Sequence, residues 1–234
     1  MENERKTDRS ADMGMDEHRL SDILLASQIK ATDIYETPPQ IIWIDNSTIA
    51  TLGNFSASTG KAKSKKTFNV SALVAASLAG KQVLNYRAHL PEGKQRILYV
   101  DTEQSRFHCR SVLERILRLA GLPTTTDPEN LDFFCLREYS PSVRIEVIDY
   151  ALRQQKGYGL VIIDGIRDLM LDINNAGESV EVINRMMEWS SRYDLHIHCV
   201  LHLNKGDNNV RGHIGTERSN KAETVLVISK SNEN

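Results

Sequence analysis

A chain of 234 residues is long enough for one large α/β domain, and such a domain buries about 70% of the surface that its unfolded chain exposes. The 29 basic and 31 acidic residues nearly balance, which excludes a general electrostatic attraction to nucleic acid or to a membrane surface. No segment approaches the roughly 20 consecutive apolar residues of a membrane span, so we expect a cytoplasmic protein with no membrane partner.

The first predicted element is a short amphipathic helix over residues 20–31, after a polar stretch that is predicted to be a mobile tail. Pro38 and Pro39 then interrupt the chain, immediately before a long apolar segment. The sequence therefore predicts a tail with a short helix over residues 1–37 and one main domain over residues 38–234.

In the main domain, short β-branched runs alternate with longer helical stretches, which is the pattern of a parallel sheet. Several runs are apolar without interruption, and this indicates burial on both faces. The predicted strands cover residues 41–44, 49–55, 97–100, 131–136, 160–163, 197–201 and 224–228. The predicted helices cover residues 67–79, 106–120, 141–155 and 179–193. We predict an α/β fold with a mainly parallel twisted sheet and helices on both faces.

A lysine-rich loop lies between a predicted strand and a predicted helix, the setting in which a phosphate-binding P-loop functions. Its backbone amides and the helix dipole would attract phosphate groups. In this register the Lys66 amine reaches the β- and γ-phosphates of ATP, and the Thr67 hydroxyl binds Mg²⁺. The residues predicted to contact the nucleotide in this loop are Gly60, Lys61, Ala62, Lys63, Ser64, Lys65, Lys66 and Thr67.

The loop departs from the usual motif at Lys65, where a glycine normally lets the backbone approach the phosphates closely. A solvated lysine-rich loop without a ligand is the alternative interpretation of the same residues.

A glycine-flanked apolar strand ends at Asp164, which is the arrangement of a Walker B acid that holds the Mg²⁺ complex through water. Capping of the following turn is the structural alternative for Asp164. A second buried strand delivers Asp101 and Glu103 at its carboxyl end, the edge where open α/β sheets bind ligands. Glu103 is our candidate for the general base that activates the attacking water, and a favourable charge at the next helix start is the alternative.

A third strand ends at His202 and leads into a polar loop. His202 is a candidate contact of the γ-phosphate, although a histidine beside a core strand is often only a hydrogen-bonded structural residue. Lys205, Arg211 and Lys230 are cations that fit either the nucleotide of a neighbouring subunit or a nucleic-acid backbone, and the sequence does not decide between them.

These segments, in this order, resemble the RecA-like ATPase superfamily. In particular, they are similar to the RepA-type helicases and the related AAA-labelled ATPases that bacterial plasmids and mobilizable transposons encode. The resemblance covers roughly residues 38–230, and its most specific strings are TLGNFSASTGKAKSKKTF, ILYVDTEQS, VIIDGIRDL and LHLNKGDNNVRGHIGTE.

The resemblance implies that Lys66 and Thr67 act in the phosphate loop, that Asp164 is the Walker B acid and that Glu103 is the catalytic glutamate. His202 is similar in position to the sensor residue of the family. The segment at Arg211 and Gly212 resembles a mobile loop of the family that often contacts DNA. Lys230 is similar in position to a basic residue that contacts the ATP of a neighbouring subunit in some members.

The function implied is ATP hydrolysis in a homo-oligomeric ring or filament, as a helicase or DNA-dependent ATPase. Its partner would be single- or double-stranded DNA, during replication, mobilisation or excision of a mobile element. The chain ends soon after its last predicted strand, which fits either a short member of the family or a truncated one that lacks oligomer or DNA contacts beyond Asn234. Two alternatives stay open: a nucleotide-controlled binding switch with little hydrolysis, and a kinase or other phosphotransferase on the same core.

Overall fold

The computed structural model describes residues 8–172, 175–202 and 221–230. Contacts within the chain divide it into two compact units, Met1–Thr37 and Pro38–Asn234. In these described ranges, no helix combines the length and the apolar character that crossing a membrane requires.

The first unit contains one helix, α1 (Asp8–Ser27), among its described residues. The prediction for this region was wrong at both ends, because the helix begins twelve residues before residue 20 and ends four residues before residue 31. Part of the segment predicted to be a mobile tail is therefore helical. Its sequence contains Ala, Met, Glu and Arg, which favour helix even where few apolar residues anchor the chain.

The second unit alternates strands and helices along the chain. Its strands are β1 (Gln40–Ile44), β2 (Ser47–Thr51), β3 (Phe55–Gly60), β4 (Tyr86–Ala88), β5 (Arg96–Asp101), β6 (Leu131–Cys135), β7 (Tyr158–Asp164), β8 (His196–His202) and β9 (Thr224–Val227). Its helices are α2 (Lys66–Ala79), α3 (Arg106–Ala120), α4 (Pro141–Gln154) and α5 (Ala176–Arg192), and a short 3-10 helix (Ile166–Leu169) follows β7.

Six strands form a sheet in the order β6-β5-β7-β8-β3-β9, and every neighbouring pair in it is parallel. Alternate residues of these strands face two separate hydrophobic clusters. One cluster contains residues of α2 and α3, and the other contains residues of α4 and α5. The predicted α/β fold, with a parallel sheet between helices on both faces, is confirmed.

The predicted strand over residues 49–55 is wrong as a single element. The chain forms β2, turns at Gly53 with a positive φ of 79°, and then enters β3 in the large sheet. β1 pairs antiparallel with β2 and with β4, and these three strands form a separate sheet. The strand β4 has three residues and was not predicted.

Every residue of β3 is buried, although the strand is rich in hydroxyl side chains. Two buried histidines of β8 satisfy the two serines of β3: Ser56 Oγ lies 2.7 Å from His196 Nε2 and 2.8 Å from His198 Nδ1, and Ser58 Oγ lies 2.8 Å from His198 Nε2. His196 Nδ1 lies 2.8 Å from the Thr51 carbonyl, which only accepts. His196 Nδ1 therefore carries a proton, and the chain of donors runs from Ser58 through both histidines to Thr51.

Burial lowers the pKa of His196 to about 4, against the smaller opposing effect of the Thr51 carbonyl. The Glu223 carboxylate, 3.9 Å from Nδ1, therefore faces a neutral ring at pH 7. Because the folded pKa lies below the unfolded value of about 6.5, the neutral ring stabilises the fold above pH 6.5, and this stability is lost as the pH falls towards 4.

We expect the free energy of unfolding to fall by about 3 kcal/mol between pH 7 and pH 4 through His196 alone. Urea unfolding across this range should show a weaker pH dependence in His196→Asn than in the wild type. The exposed His89 provides the control, since His89→Asn should leave the slope unchanged. An identical slope in His196→Asn would contradict this assignment.

Candidate functional site

The carboxyl ends of four adjacent strands bring the predicted site residues to one edge of the sheet. Asp101 at the end of β5 is the register partner of Asp164 at the end of β7. Gly60, which ends β3, is the register partner of His202 at the end of β8. The phosphate loop and the three acidic or polar strand ends therefore share the edge where parallel sheets bind ligands.

Lys66 is the first residue of α2 and is 4% exposed. Its Nζ donates to the carbonyls of Gly60, at 2.9 Å, and Lys61, at 3.0 Å, so the side chain folds back over the loop. Burial lowers the pKa of Lys66, while the negative charges of Glu103 and Asp164 oppose that shift. The amine therefore lies between the phosphate loop and the two predicted acidic residues.

Lys65 adopts the left-handed conformation, with φ 67° and ψ 30°, immediately before α2. This is the region that glycine enters without steric cost. A lysine thus stands where the motif has glycine, and its backbone takes a conformation that glycine favours. Lysine pays roughly 1–2 kcal/mol for this left-handed conformation, which glycine would adopt without strain. The backbone of the loop still turns into α2 as the motif requires.

Replacement of Lys65 tests this conformation. We expect the free energy of unfolding of Lys65→Gly to lie within about 1 kcal/mol of the wild-type value. Relief of the backbone strain is offset by the greater conformational freedom of glycine in the unfolded chain. Lys65→Val should be less stable than Lys65→Gly by at least about 1 kcal/mol, because β-branched residues strongly disfavour positive φ. Denaturant unfolding measures both, with the exposed Lys81→Val as the control. Equal stability of the Val and Gly variants would contradict the assigned backbone.

Gly60 has no room for a side chain. A Cβ at this position would lie 2.3 Å from the Ile228 carbonyl oxygen and 2.6 Å from Ser64 Oγ. The Ile228 amide also donates to the Thr59 carbonyl at 2.7 Å, so the segment after β9 is fixed against the start of the loop. Ser64 Oγ is buried and has no hydrogen-bond partner among the described residues, which is the state expected of a donor that faces a ligand.

Asp164 is 5% exposed and accepts a hydrogen bond from the Tyr99 hydroxyl at 2.9 Å. Burial raises the pKa of Asp164 to about 7, the nearby Asp101 charge adds to the rise, and hydrogen bonds from Tyr99 and Thr67 oppose it. The predicted Mg²⁺ ligands Thr67 and Asp164 therefore lie close enough for the Thr67 hydroxyl to influence the Asp164 carboxylate. A buried carboxylate with an elevated pKa and a hydroxyl partner fits a divalent cation, whose charge would favour the ionised form.

Asp101 is fully buried and accepts three hydrogen bonds from the turn that follows it. The donors are the Glu103 amide at 3.0 Å, the Gln104 amide at 2.7 Å and Gln104 Nε2 at 2.7 Å. Burial raises the pKa of Asp101, and these hydrogen bonds oppose the rise. Asp101 therefore positions the turn, while the exposed Glu103 side chain interacts electrostatically with Lys66 and Asp164.

Three residues that support the site, Thr102, Gly165 and Asp168, were not predicted to belong to it. Thr102 Oγ1 donates towards the Gly165 carbonyl at 2.8 Å and lies 3.0 Å from Asp168 Oδ2, which ties the end of β5 to the end of β7. Gly165 has a φ of 104°, and a Cβ there would lie 2.7 Å from Glu103 Cγ. The glycine in VIIDGIRDL was the available signal, since glycine directly after a buried strand marks a close approach or a positive φ.

The remaining predicted residues are placed only in part. The backbone of His202 lies beside Gly60, but its side chain lies outside the description, and Lys205, Arg211 and Gly212 fall in residues 203–220, which the structure does not describe. Lys230 is described and lines a cavity with Ser64 and Lys65 of the same chain. Among the described residues, no group of three or more His, Cys, Asp or Glu side chains is arranged to hold a metal ion.

A family model described as an AAA domain, of the P-loop NTPase class, matches residues 20–208. A comparison with curated proteins found no match. The family match and the order of the six parallel strands confirm the RecA-like P-loop NTPase fold that the sequence predicted.

Proposed function

Because the chain belongs to the AAA domain family of P-loop ATPases, we propose that it binds Mg²⁺ and ATP at this edge of the sheet. We propose that it then hydrolyses the bond between the β- and γ-phosphates. The observation that carries the proposal is the convergence of Lys66, Thr67, Asp164 and Glu103 around the first turn of α2. Phosphoryl transfer depends mainly on positioning and electrostatic stabilisation, and these residue types supply both.

In the proposed reaction, the loop amides and Lys66 bind the β- and γ-phosphates. The Lys66 amine exchanges its contacts with the Gly60 and Lys61 carbonyls for phosphate oxygens. Thr67 and Asp164 would hold Mg²⁺, which would supply further positive charge to the transferring group. Ser64 Oγ gains the partner that it lacks among the described residues.

Glu103 is proposed to orient the water that attacks the γ-phosphate in line with the leaving group. Three features support this role: its exposure, its electrostatic interaction with Lys66, and the three hydrogen bonds by which Asp101 holds its turn. Asp101 and Asp164 are buried, whereas the Glu103 side chain is exposed to solvent.

We extend the proposal to DNA as the macromolecular partner and to a homo-oligomer as the working form. Its support is the resemblance to RepA-type helicases and the position of the cationic segment with Lys205 and Arg211, which follows directly after the strand end beside Gly60. A loop at that place would link nucleotide occupancy to a bound strand. The mobile-element setting rests on the resemblance alone.

Steady-state phosphate release from Mg²⁺ and ATP, with and without single-stranded DNA, tests the function. We expect ATP-dependent release that DNA stimulates, with DNA binding that weakens steeply between low and physiological salt. Absence of DNA binding at both salt concentrations would refute the DNA role. ATP binding without phosphate release under all conditions would favour the nucleotide-controlled switch, for which Lys65 in the loop is the specific feature.

A further inference from the structure

An apolar cavity of about 330 Å³ lies between the first turns of α2, the small antiparallel sheet and the strand β9. This volume is within the range of small-molecule sites in proteins. Its lining includes Ile44, Phe68, Asn69, Leu84, Tyr86 and Leu226. The predicted chemistry of the phosphate loop uses none of these side chains.

This cavity adjoins a second one that reaches the phosphate loop. A second cavity, of about 390 Å³, shares Phe68, Asn69 and Ile228 with the first and extends to Ser64, Lys65 and Lys230. Their common wall is fixed, because Ile228 is hydrogen-bonded to Thr59 and its carbonyl packs against Gly60. A ligand that occupies both cavities would therefore lie against this wall, beside Phe68 and Asn69.

The polar groups of the two cavities suit a ligand that is charged at one end and aromatic at the other. At the loop end are the buried Ser64 hydroxyl, without a partner among the described residues, and the Lys230 ammonium. At the apolar end, Asn69 Nδ2 donates to the Tyr86 hydroxyl at 2.7 Å, and Tyr86 is 3% exposed. Burial raises the pKa of Tyr86 to about 12, so its hydroxyl stays protonated and holds the Asn69 amide in place.

Phe68 lines both cavities and lies where they adjoin. Its ring is 43% exposed, and the Arg115 guanidinium lies 5.9 Å from its centroid. Phe68 and Asn69 lie two and three residues beyond Lys66, which corresponds to about 3–5 Å along the helix axis. That spacing places an aromatic ring and an amide within reach of a nucleoside whose phosphates lie on the loop.

We propose that the cavity lined by Phe68, Asn69 and Tyr86 binds the nucleoside of the triphosphate, with Phe68 packing on the base and Asn69 hydrogen-bonding it. This inference rests on the proposed function, since it requires the phosphates to lie on the loop at Lys66. It makes Phe68 and Asn69 binding residues for the base, and it makes Tyr86 a positioning residue that acts through Asn69.

The test compares the binding of Mg²⁺ with ATP and of Mg²⁺ with inorganic tripolyphosphate, by calorimetry on the full chain. Stacking of a base on an aromatic side chain contributes enough that its loss should weaken ATP binding roughly tenfold in Phe68→Ala. Asn69→Ala should also weaken ATP binding, and both variants should bind tripolyphosphate as the wild type does. The exposed Phe107 gives the matched control, since Phe107→Ala should bind both ligands normally.

The outcomes separate the two proposals. If tripolyphosphate binds as tightly as ATP, or if Phe68→Ala and Asn69→Ala weaken both ligands equally, the nucleoside site is refuted and the phosphate site stands. If neither ligand binds the wild type, the proposed function itself fails. Thermal unfolding of each variant identifies loss of fold, and Tyr86→Phe provides a third variant, for which weaker ATP binding with normal tripolyphosphate binding is expected.

Discussion

Lys66→Ala should lose nearly all affinity for Mg²⁺ and ATP. The Lys66 amine is 4% exposed and lies between the loop carbonyls and the acidic residues, so no exposed lysine of the loop can take its place. Removal of one partner from a buried, hydrogen-bonded charge pair costs roughly 2–5 kcal/mol. The dissociation constant, measured by calorimetry, should therefore rise by roughly 30-fold to several thousandfold.

The control for this variant removes a lysine of similar length from outside the site. Lys81 is exposed just beyond the end of α2, and Lys81→Ala should bind ATP with wild-type affinity. The unliganded Lys66→Ala protein should unfold near the wild-type midpoint, because removal of a buried amine also removes its desolvation cost. Wild-type ATP affinity in a folded Lys66→Ala protein would show that phosphates bind elsewhere.

Glu103→Gln should retain ATP binding and lose hydrolysis. Glutamine keeps the size of the side chain and its hydrogen-bonding groups, but it cannot accept the proton of the attacking water. General-base catalysis contributes roughly 100- to 10,000-fold to such reactions, so kcat for phosphate release should fall by that factor. Calorimetry on the same variant should show an affinity for Mg²⁺ and ATP within a few-fold of the wild type.

Glu92 supplies the comparison for this substitution, since it is an exposed glutamate in the turn before β5. Glu92→Gln should hydrolyse ATP at the wild-type rate. A rate in Glu103→Gln that equals the wild type would remove Glu103 from the reaction and favour the alternative in which its charge only supports the start of α3.

The sequence predicted the strands with uninterrupted apolar runs and missed those that depend on tertiary partners. The apolar runs of β5 and β7 predicted these strands, and the observed strands contain the predicted segments 97–100 and 160–163 in full. β3 was missed because Ser56 and Ser58 are typical of a loop unless partners on the next strand satisfy them. The matching spacing of His196 and His198 was the signal, but the pairing of β3 with β8 spans about 140 residues of sequence.

Residue types and spacing were sufficient to select Lys66, Thr67, Asp164 and Glu103 as candidates, because the proposed chemistry requires those groups at strand and helix ends. They did not reveal the wall formed by Ile228 behind Gly60. They also did not reveal the backbone conformation of Lys65. The wall depends on how β9 packs beside β3, and no local pattern encodes that contact.

A crystal structure with Mg²⁺ and a non-hydrolysable ATP analogue would show where the triphosphate and its metal ion bind. We predict a γ-phosphate oxygen within about 3 Å of Lys66 Nζ, a metal ion on Thr67 Oγ1, and a water between that metal and Asp164. A triphosphate bound away from the loop of residues 60–67, or a metal ion that contacts neither Thr67 nor the Asp164 water, would contradict the account.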